Sequence, residues 1–157
     1  MATWGIHHTS LVVSDADKAL RFYRDGLGLE LVGDVEEQTE RLAQQVEVPG
    51  AWIRCMWLKT PDSNTLLELL EYKNPPGKKF DLCCNDIGAP HVSFLVDDIY
   101  EITEKLKSMG YKPTTGPQDV DPNTQPDAKT IYFRDADGIA VEIFQMCPER
   151  KMNKRFY

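Results

Sequence analysis

Two histidines and two glutamates are the residues in this chain whose types and placement can do chemistry. The segment His8-Thr9-Ser10-Leu11-Val12-Val13-Ser14-Asp15 returns as His91-Val92-Ser93-Phe94-Leu95-Val96-Asp97-Asp98, with His, Ser, Val and Asp identical. A second pair, Leu67-Glu68-Leu69-Leu70 and Val141-Glu142-Ile143-Phe144, repeats further on. Each half thus opens on a histidine and closes on a glutamate. Imidazole and carboxylate together suit zinc, nickel, cobalt, manganese or iron. An internal duplication can bring ligands that are far apart in sequence to symmetric positions around one ion, so His8, Glu68, His91 and Glu142 form a candidate metal site. A glutamate beside a metal can also serve as a base, which makes Glu142 and Glu68 the catalytic candidates.

Each of these residues also has a plainer reading. A histidine at a strand start is commonly structural, and a glutamate flanked by leucines can be a surface residue. The repeat tells against both, because it places the two histidines and the two glutamates equivalently. His7 is the neighbour that competes with His8; strand alternation points it to the opposite face, and the repeat register favours His8. Glu71 lies three positions from Glu68, which also puts it on the other face. Arg54 and Arg134 can bind an anionic substrate or form surface salt bridges. Trp52, Met56 and Trp57 can line a pocket or pack a core. Phe22 and Tyr23 are most simply core residues.

The elements that must position these groups follow the same duplication. Ile6 to Val13 reads as a β-branched strand with Asp15 as N-cap. Ala16 to Arg24 has helical spacing, ended by Gly26 and Gly28. Leu29 to Val35 reads as a strand, and Glu36 to Val46 as a short amphipathic helix or covering loop. Ala51 to Lys59 and Thr65 to Tyr72 are strands joined around Pro61-Asp62-Ser63-Asn64. Lys73 to Pro90, rich in Pro and Gly, is a linker. Then His91 to Val96 is a strand, and Ile99, Ile102, Leu106 and Met109 mark a helix closed by Gly110. Tyr111 to Thr115 begins a strand, Gly116 to Asp127 is a loop, and Thr130 to Arg134 and Ala140 to Gln145 form a hairpin through Asp135-Ala136-Asp137-Gly138. Both halves read βαβββ, and each is too small to cover both faces of its own sheet.

Composition narrows the classes. The 157 residues fit one domain of two small modules, and 41% apolar content is enough for a packed interior. A formal charge of −7 argues against non-specific nucleic-acid binding, which needs a basic face. The one basic cluster, Arg150 to Arg155, reads as a solvated tail. No apolar stretch reaches the roughly 18 residues that cross a bilayer, and the first ten residues have no secretory pattern. The expectation is a cytoplasmic protein whose cysteines, Cys55, Cys83, Cys84 and Cys147, are reduced thiols.

Five segments carry a resemblance to a known family. They are His8 to Asp15; Phe22-Tyr23-Arg24-Asp25-Gly26-Leu27-Gly28-Leu29; Leu67-Glu68-Leu69-Leu70-Glu71-Tyr72; Gly88-Ala89-Pro90-His91-Val92-Ser93-Phe94; and Tyr132-Phe133-Arg134-Asp135-Ala136-Asp137-Gly138-Ile139-Ala140-Val141-Glu142. In this order they resemble the vicinal oxygen chelate superfamily, which includes glyoxalase I, methylmalonyl-CoA epimerase, extradiol dioxygenases and antibiotic-resistance proteins. The resemblance implies an α+β fold of two tandem βαβββ modules paired into a cupped, roughly eight-stranded mixed sheet. Module one would span about 5–74, the linker about 75–90, module two about 91–147 and the tail 148–157. It implies one divalent metal ion (Zn, Ni, Co, Mn or Fe) held by His8, Glu68, His91 and Glu142, a set that looks like glyoxalase I and the epimerase.

The implied activity is a glyoxalase-like lyase or isomerase on a small-molecule substrate. It would abstract a proton next to a carbonyl, with Glu142 and Glu68 as ligand-bases and the ion stabilising an enediolate or enolate. A homodimer is expected, because family members often build the site by swapping modules; no nucleic-acid or membrane partner is. Two other readings stay open. An Fe(II) extradiol-type dioxygenase would use His8, His91 and Glu142, leaving Glu68 dispensable. A metal-free protein that binds a small molecule or antibiotic would need none of the four. The segments 36–49 and 116–127 are candidates for lids.

Overall fold

A computed structural model describes residues 3, 5–61, 65–121, 123 and 128–146. The Asp62-Ser63-Asn64 turn, Cys147 and the basic tail therefore lie outside the described residues, as do parts of the Gly116 to Asp127 loop. The chain divides into two compact units, residues 1–80 and 81–157.

The first unit runs β1 (His8–Val12), α1 (Ala16–Leu20), β2 (Glu30–Glu37), α2 (Glu40–Gln45), β3 (Trp52–Lys59) and β4 (Leu66–Asn74). Its four strands lie in the order β1-β4-β3-β2. β1 runs parallel to β4, and the other neighbours are antiparallel. One face of the sheet is dry. Leu11, Met56 and Leu69 share a register row, Leu58 and Leu67 the next, and all five are buried. Phe22 and Tyr23 are fully buried core residues, as expected.

The second unit repeats the plan with β5 (His91–Leu95), α3 (Ile99–Ser108), β6 (Gln118–Asp119), β7 (Lys129–Arg134) and β8 (Ala140–Gln145). Its sheet order is β5-β8-β7-β6, again with one parallel pair, β5 and β8. Ile131, Phe133, Val141 and Ile143 form its dry face, and Leu106 of α3 is also buried. The α+β class and the two βαβββ modules expected from sequence are what the chain adopts.

The helices α1 and α3 are started by matched devices. The Asp15 carboxylate accepts from the Lys18 N–H at 3.0 Å, and Asp98 accepts from Tyr100 and Glu101 at 2.9 and 3.1 Å. The first helical N–H of these two helices donates to a side chain of the sheet: Ala16 to Glu71 at 3.1 Å and Ile99 to Gln145 at 2.8 Å. Glu71 and Gln145 each stand three residues beyond the glutamate of their strand, on the opposite face, as alternation requires. The residues that fix the helix therefore also fix the direction of the strand that carries the candidate ligand.

Three expectations need correction. The first helix does not stay α-helical to Arg24: from Arg21 to Gly26 it widens into a π-helical turn, with Leu27 N–H bonded to the Phe22 carbonyl at 3.1 Å. Gly28, at φ +80°, then reverses the chain where a side chain would strain it. Glu36 and Glu37 are strand, not helix; the amphipathic helix begins at Glu40 behind a Thr39 cap and buries Ala43 against Ala51 and Ile53. Tyr111 to Thr115 does not begin a strand. Pro113 makes a single bridge to Phe133, and the ladder resumes only at β6. Proline has no N–H to continue a ladder.

Candidate functional site

The wet face of each sheet carries the candidate ligands. In the first unit Ser10, Glu68 and Trp57 are direct neighbours across β1, β4 and β3, with His8 and Cys55 two residues away on the same face. In the second unit Ser93, Glu142 and Tyr132 occupy the same row, with His91 and Thr130 two residues away. Diagonal neighbours of this kind lie within reach of long side chains. The result is two equivalent pairs. His8 Nε2 stands 3.7 Å from Glu68 Oε2, and His91 Nε2 stands 3.7 Å from Glu142 Oε2. Both glutamates are largely buried (side chains 11% and 15% exposed), whereas the histidines are open to solvent.

Each glutamate is held by its neighbours. The Ser10 hydroxyl donates to Glu68 Oε2, and the Cys55 thiol donates to Glu68 Oε1 at 3.1 Å. Burial, reinforced by the carboxylate of Glu68, pushes the Cys55 thiol up to about 12, so it remains a protonated donor. In the second unit the Thr130 hydroxyl donates to Glu142 Oε1 at 2.6 Å. Burial and then the nearby charge of Glu142 raise the Tyr132 phenol above its ordinary 10.0. Aromatic rings brace the histidines: His8 meets Trp57 edge-on at 5.1 Å between centroids, and His91 meets Tyr132 at 6.0 Å. Gly33 lies opposite Trp57, and a Cβ there would come 3.2 Å from the indole, so glycine leaves the ring its place.

His7 departs from expectation. It precedes β1, so strand alternation does not govern it, and its ring lies beside His8 (Nδ1 to Nδ1, 2.8 Å) and near Trp57. Trp57 lines the site, Met56 is fully buried in the core, and Trp52 donates to Glu36 at 3.0 Å away from both. Residue type and spacing do not mark Ser10, Cys55 and Thr130 as ligand partners. The Ser10 and Ser93 identity in the repeat was the signal for the first; the other two needed the strand register.

Arg54 is committed elsewhere. It bonds Asp34 at 3.0 and 2.8 Å and Asp17 at 2.9 and 3.2 Å, tying α1 to β2. Arg134 donates to the carbonyls of Leu82 and Gly138 and reaches Cys84 Sγ at 3.3 Å. The hydrogen bond from Arg54 holds the Asp34 carboxyl below its ordinary 3.8. A depressed carboxylate stabilises the fold above its unfolded pKa, and that contribution disappears as pH falls through the folded value. Arg54→Met is therefore expected to cost up to about 1 kcal/mol near neutral pH. The difference from wild type should shrink under acid conditions that protonate Asp34. Urea melts at the two pH values check this; a difference independent of pH would show that Arg54 acts through packing alone.

The donor chemistry fits a divalent ion. Two ligands each roughly 2.0–2.2 Å from one metal, at right-angle to tetrahedral spacing, stand about 3.0–3.5 Å apart. The 3.7 Å separations need a shift of only a few tenths of an ångström. Among the described residues no group of three or more His, Cys, Asp or Glu side chains is arranged to hold an ion. What each unit offers is a pair.

The duplicated βαβββ plan has a counterpart in a known family. Residues 5–143 match the family model described as Glyoxalase/Bleomycin resistance protein/Dioxygenase superfamily. The chain belongs to this superfamily. A Synechocystis sp. protein named "Probable lactoylglutathione lyase" is 27% identical over 138 residues, covering 88% of this chain and 92% of that protein. The crystal structure of a glyoxalase family protein from Bacillus cereus superposes with a TM-score of 0.83 at 22% identity, over 93% of this chain and 96% of that one. TnmS3, an antibiotic binding protein from Streptomyces sp. CB03234, shares the fold at a TM-score of 0.63 and 23% identity, over 94% and 99% of the two chains. The fold thus occurs in an antibiotic binding protein as well as in a glyoxalase family protein. No helix among the described residues is long and apolar enough to cross a membrane.

Proposed function

We propose that this member of the superfamily is a metal-dependent glyoxalase-like lyase or isomerase. His8, Glu68, His91 and Glu142 would supply the ligands of the divalent ion. The observation that carries the reading is the equivalence of the two His–Glu pairs, identical in strand position and in separation. A binding protein that needs no metal has no reason to keep both pairs. The name of the Synechocystis relative supports lyase chemistry on a thiol adduct of a 2-oxoaldehyde.

A bound ion would supply Lewis acidity toward neighbouring oxygens of the substrate. The protein's own contribution is to hold two carboxylates on fixed strands. One of them, Glu142 or Glu68, takes a proton from the carbon next to the carbonyl and returns it there or to the adjacent carbon. Burial keeps both carboxylates from bulk water, and Trp57 and Tyr132 brace the histidines. A homodimer acting on a small molecule in the cytoplasm is part of this reading.

Elemental analysis of the purified protein and of His91→Ala tests it. About one zinc, nickel, cobalt or manganese per site, lost in the variant, is the expected result. It should be accompanied by turnover of methylglyoxal–thiol adducts or acyl-CoA esters. Iron with oxygen-dependent cleavage of catechols would instead favour the dioxygenase chemistry of the superfamily. No metal after reconstitution would leave a ligand-binding protein.

A further inference from the structure

We propose that Cys55 and Thr130 are matched positioning residues, which hold the outer oxygen of each glutamate so that the other oxygen faces its histidine. The inference rests on the metal-binding reading above and extends it to residues that composition and motif leave unassigned. Cys55 stands two residues before Trp57, the cross-strand partner of Glu68; Thr130 stands two residues before Tyr132, the partner of Glu142. The two are therefore at the same place in the duplicated sheet. They also act on the same atom. Cys55 donates to Glu68 Oε1 and Thr130 to Glu142 Oε1, while in both units it is Oε2 that lies 3.7 Å from the histidine Nε2. A carboxylate pinned at one oxygen presents the other in a single orientation. Groups that orient a metal ligand in this way commonly matter nearly as much as the ligand.

The match is not complete, and the difference has a consequence. A thiol is a weak donor and a hydroxyl a strong one; the bonds measure 3.1 and 2.6 Å. Glu68 has a second donor, Ser10, on Oε2. That oxygen keeps a further lone pair for an ion, since a carboxylate oxygen offers two. Glu142 likewise has a second neighbour, the Tyr132 phenol, so the greater dependence of Glu142 on Thr130 follows from the difference in donor strength.

Cobalt(II) is the probe, because its visible spectrum reports ligand geometry separately from turnover. The full-length protein is titrated with cobalt(II) against a competing chelator, and folding is followed by circular dichroism. Thr130→Val is expected to weaken binding by about 10–100-fold and to alter the cobalt spectrum. Thr130→Ser should restore both. Cys55→Ala should weaken binding less than Thr130→Val does, and Cys55→Ser, a stronger donor at the same place, should bind at least as tightly as wild type. Should Thr130→Val fail to fold, the two Cys55 variants and Thr130→Ser carry the comparison. Folded Thr130→Val and Cys55→Ala proteins with wild-type affinity and spectrum would overturn the proposal and leave the metal reading standing. A wild-type protein that takes up no cobalt would overturn both.

Discussion

Glu142→Gln is expected to lower turnover by about 10²–10⁴-fold, the usual worth of a positioned general base. The change keeps the shape and leaves the amide oxygen able to accept from Thr130 at Oε1. What it removes is the negative charge and the basic oxygen opposite His91. The companion variant decides between chemistries. If the proposed activity uses both pairs, Glu68→Gln should fall by a comparable factor, because Glu68 holds the equivalent place against His8. Loss of activity in Glu142→Gln with full activity in Glu68→Gln would match a site of two histidines and one glutamate, and would move the function toward oxygen chemistry. Ligand binding unchanged in both variants would remove the metal from the account. Hydrogen–deuterium exchange at the carbon next to the carbonyl of a methylglyoxal–thiol adduct separates proton transfer from product release in the same samples.

Much of this arrangement is legible in the sequence. The repeat placed His8 with His91 and Glu68 with Glu142, and the strand period then fixed which face each would share. Capping chemistry identified Asp15 as a helix start, and it serves as one; Asp98 caps α3 in the same way, a role its place in the repeat could have signalled. Less visible were the partners of the ligands. Whether Cys55 or Met56 meets Glu68 depends on the register between β3 and β4, and a one-residue slip would exchange them. Sequence periodicity reports faces within a strand, not pairing between strands. The same limit explains Pro113: its missing N–H could be read from the residue type, but its single bridge to Phe133 required knowing which strand lay beside it. The π-helical turn at Arg21 to Gly26 keeps Phe22 and Tyr23 buried, as their hydrophobicity demands, with a hydrogen-bond pattern that apolar spacing does not distinguish.

The largest effect on stability should come from Phe133→Ala. The ring is fully buried, sits opposite Val141 in the β7–β8 ladder, and packs on the face away from Glu142. Removing a core phenylalanine costs about 3–5 kcal/mol, from lost transfer energy and the cavity left behind. Domains of this size are stable by only about 5–15 kcal/mol, so a large share of the second unit's stability would go. Tyr132→Phe, one residue away on the opposite face, provides the control. It keeps the ring beside His91 and removes only a hydroxyl, so its cost should be far smaller. Chemical denaturation followed by circular dichroism would measure both. The contrast tests the assignment of faces: equal losses in the two variants would mean that the residues of β7 do not alternate between a dry core and a wet site. The position of Glu142 opposite Tyr132 would then have to be abandoned, together with the equivalence of the two pairs.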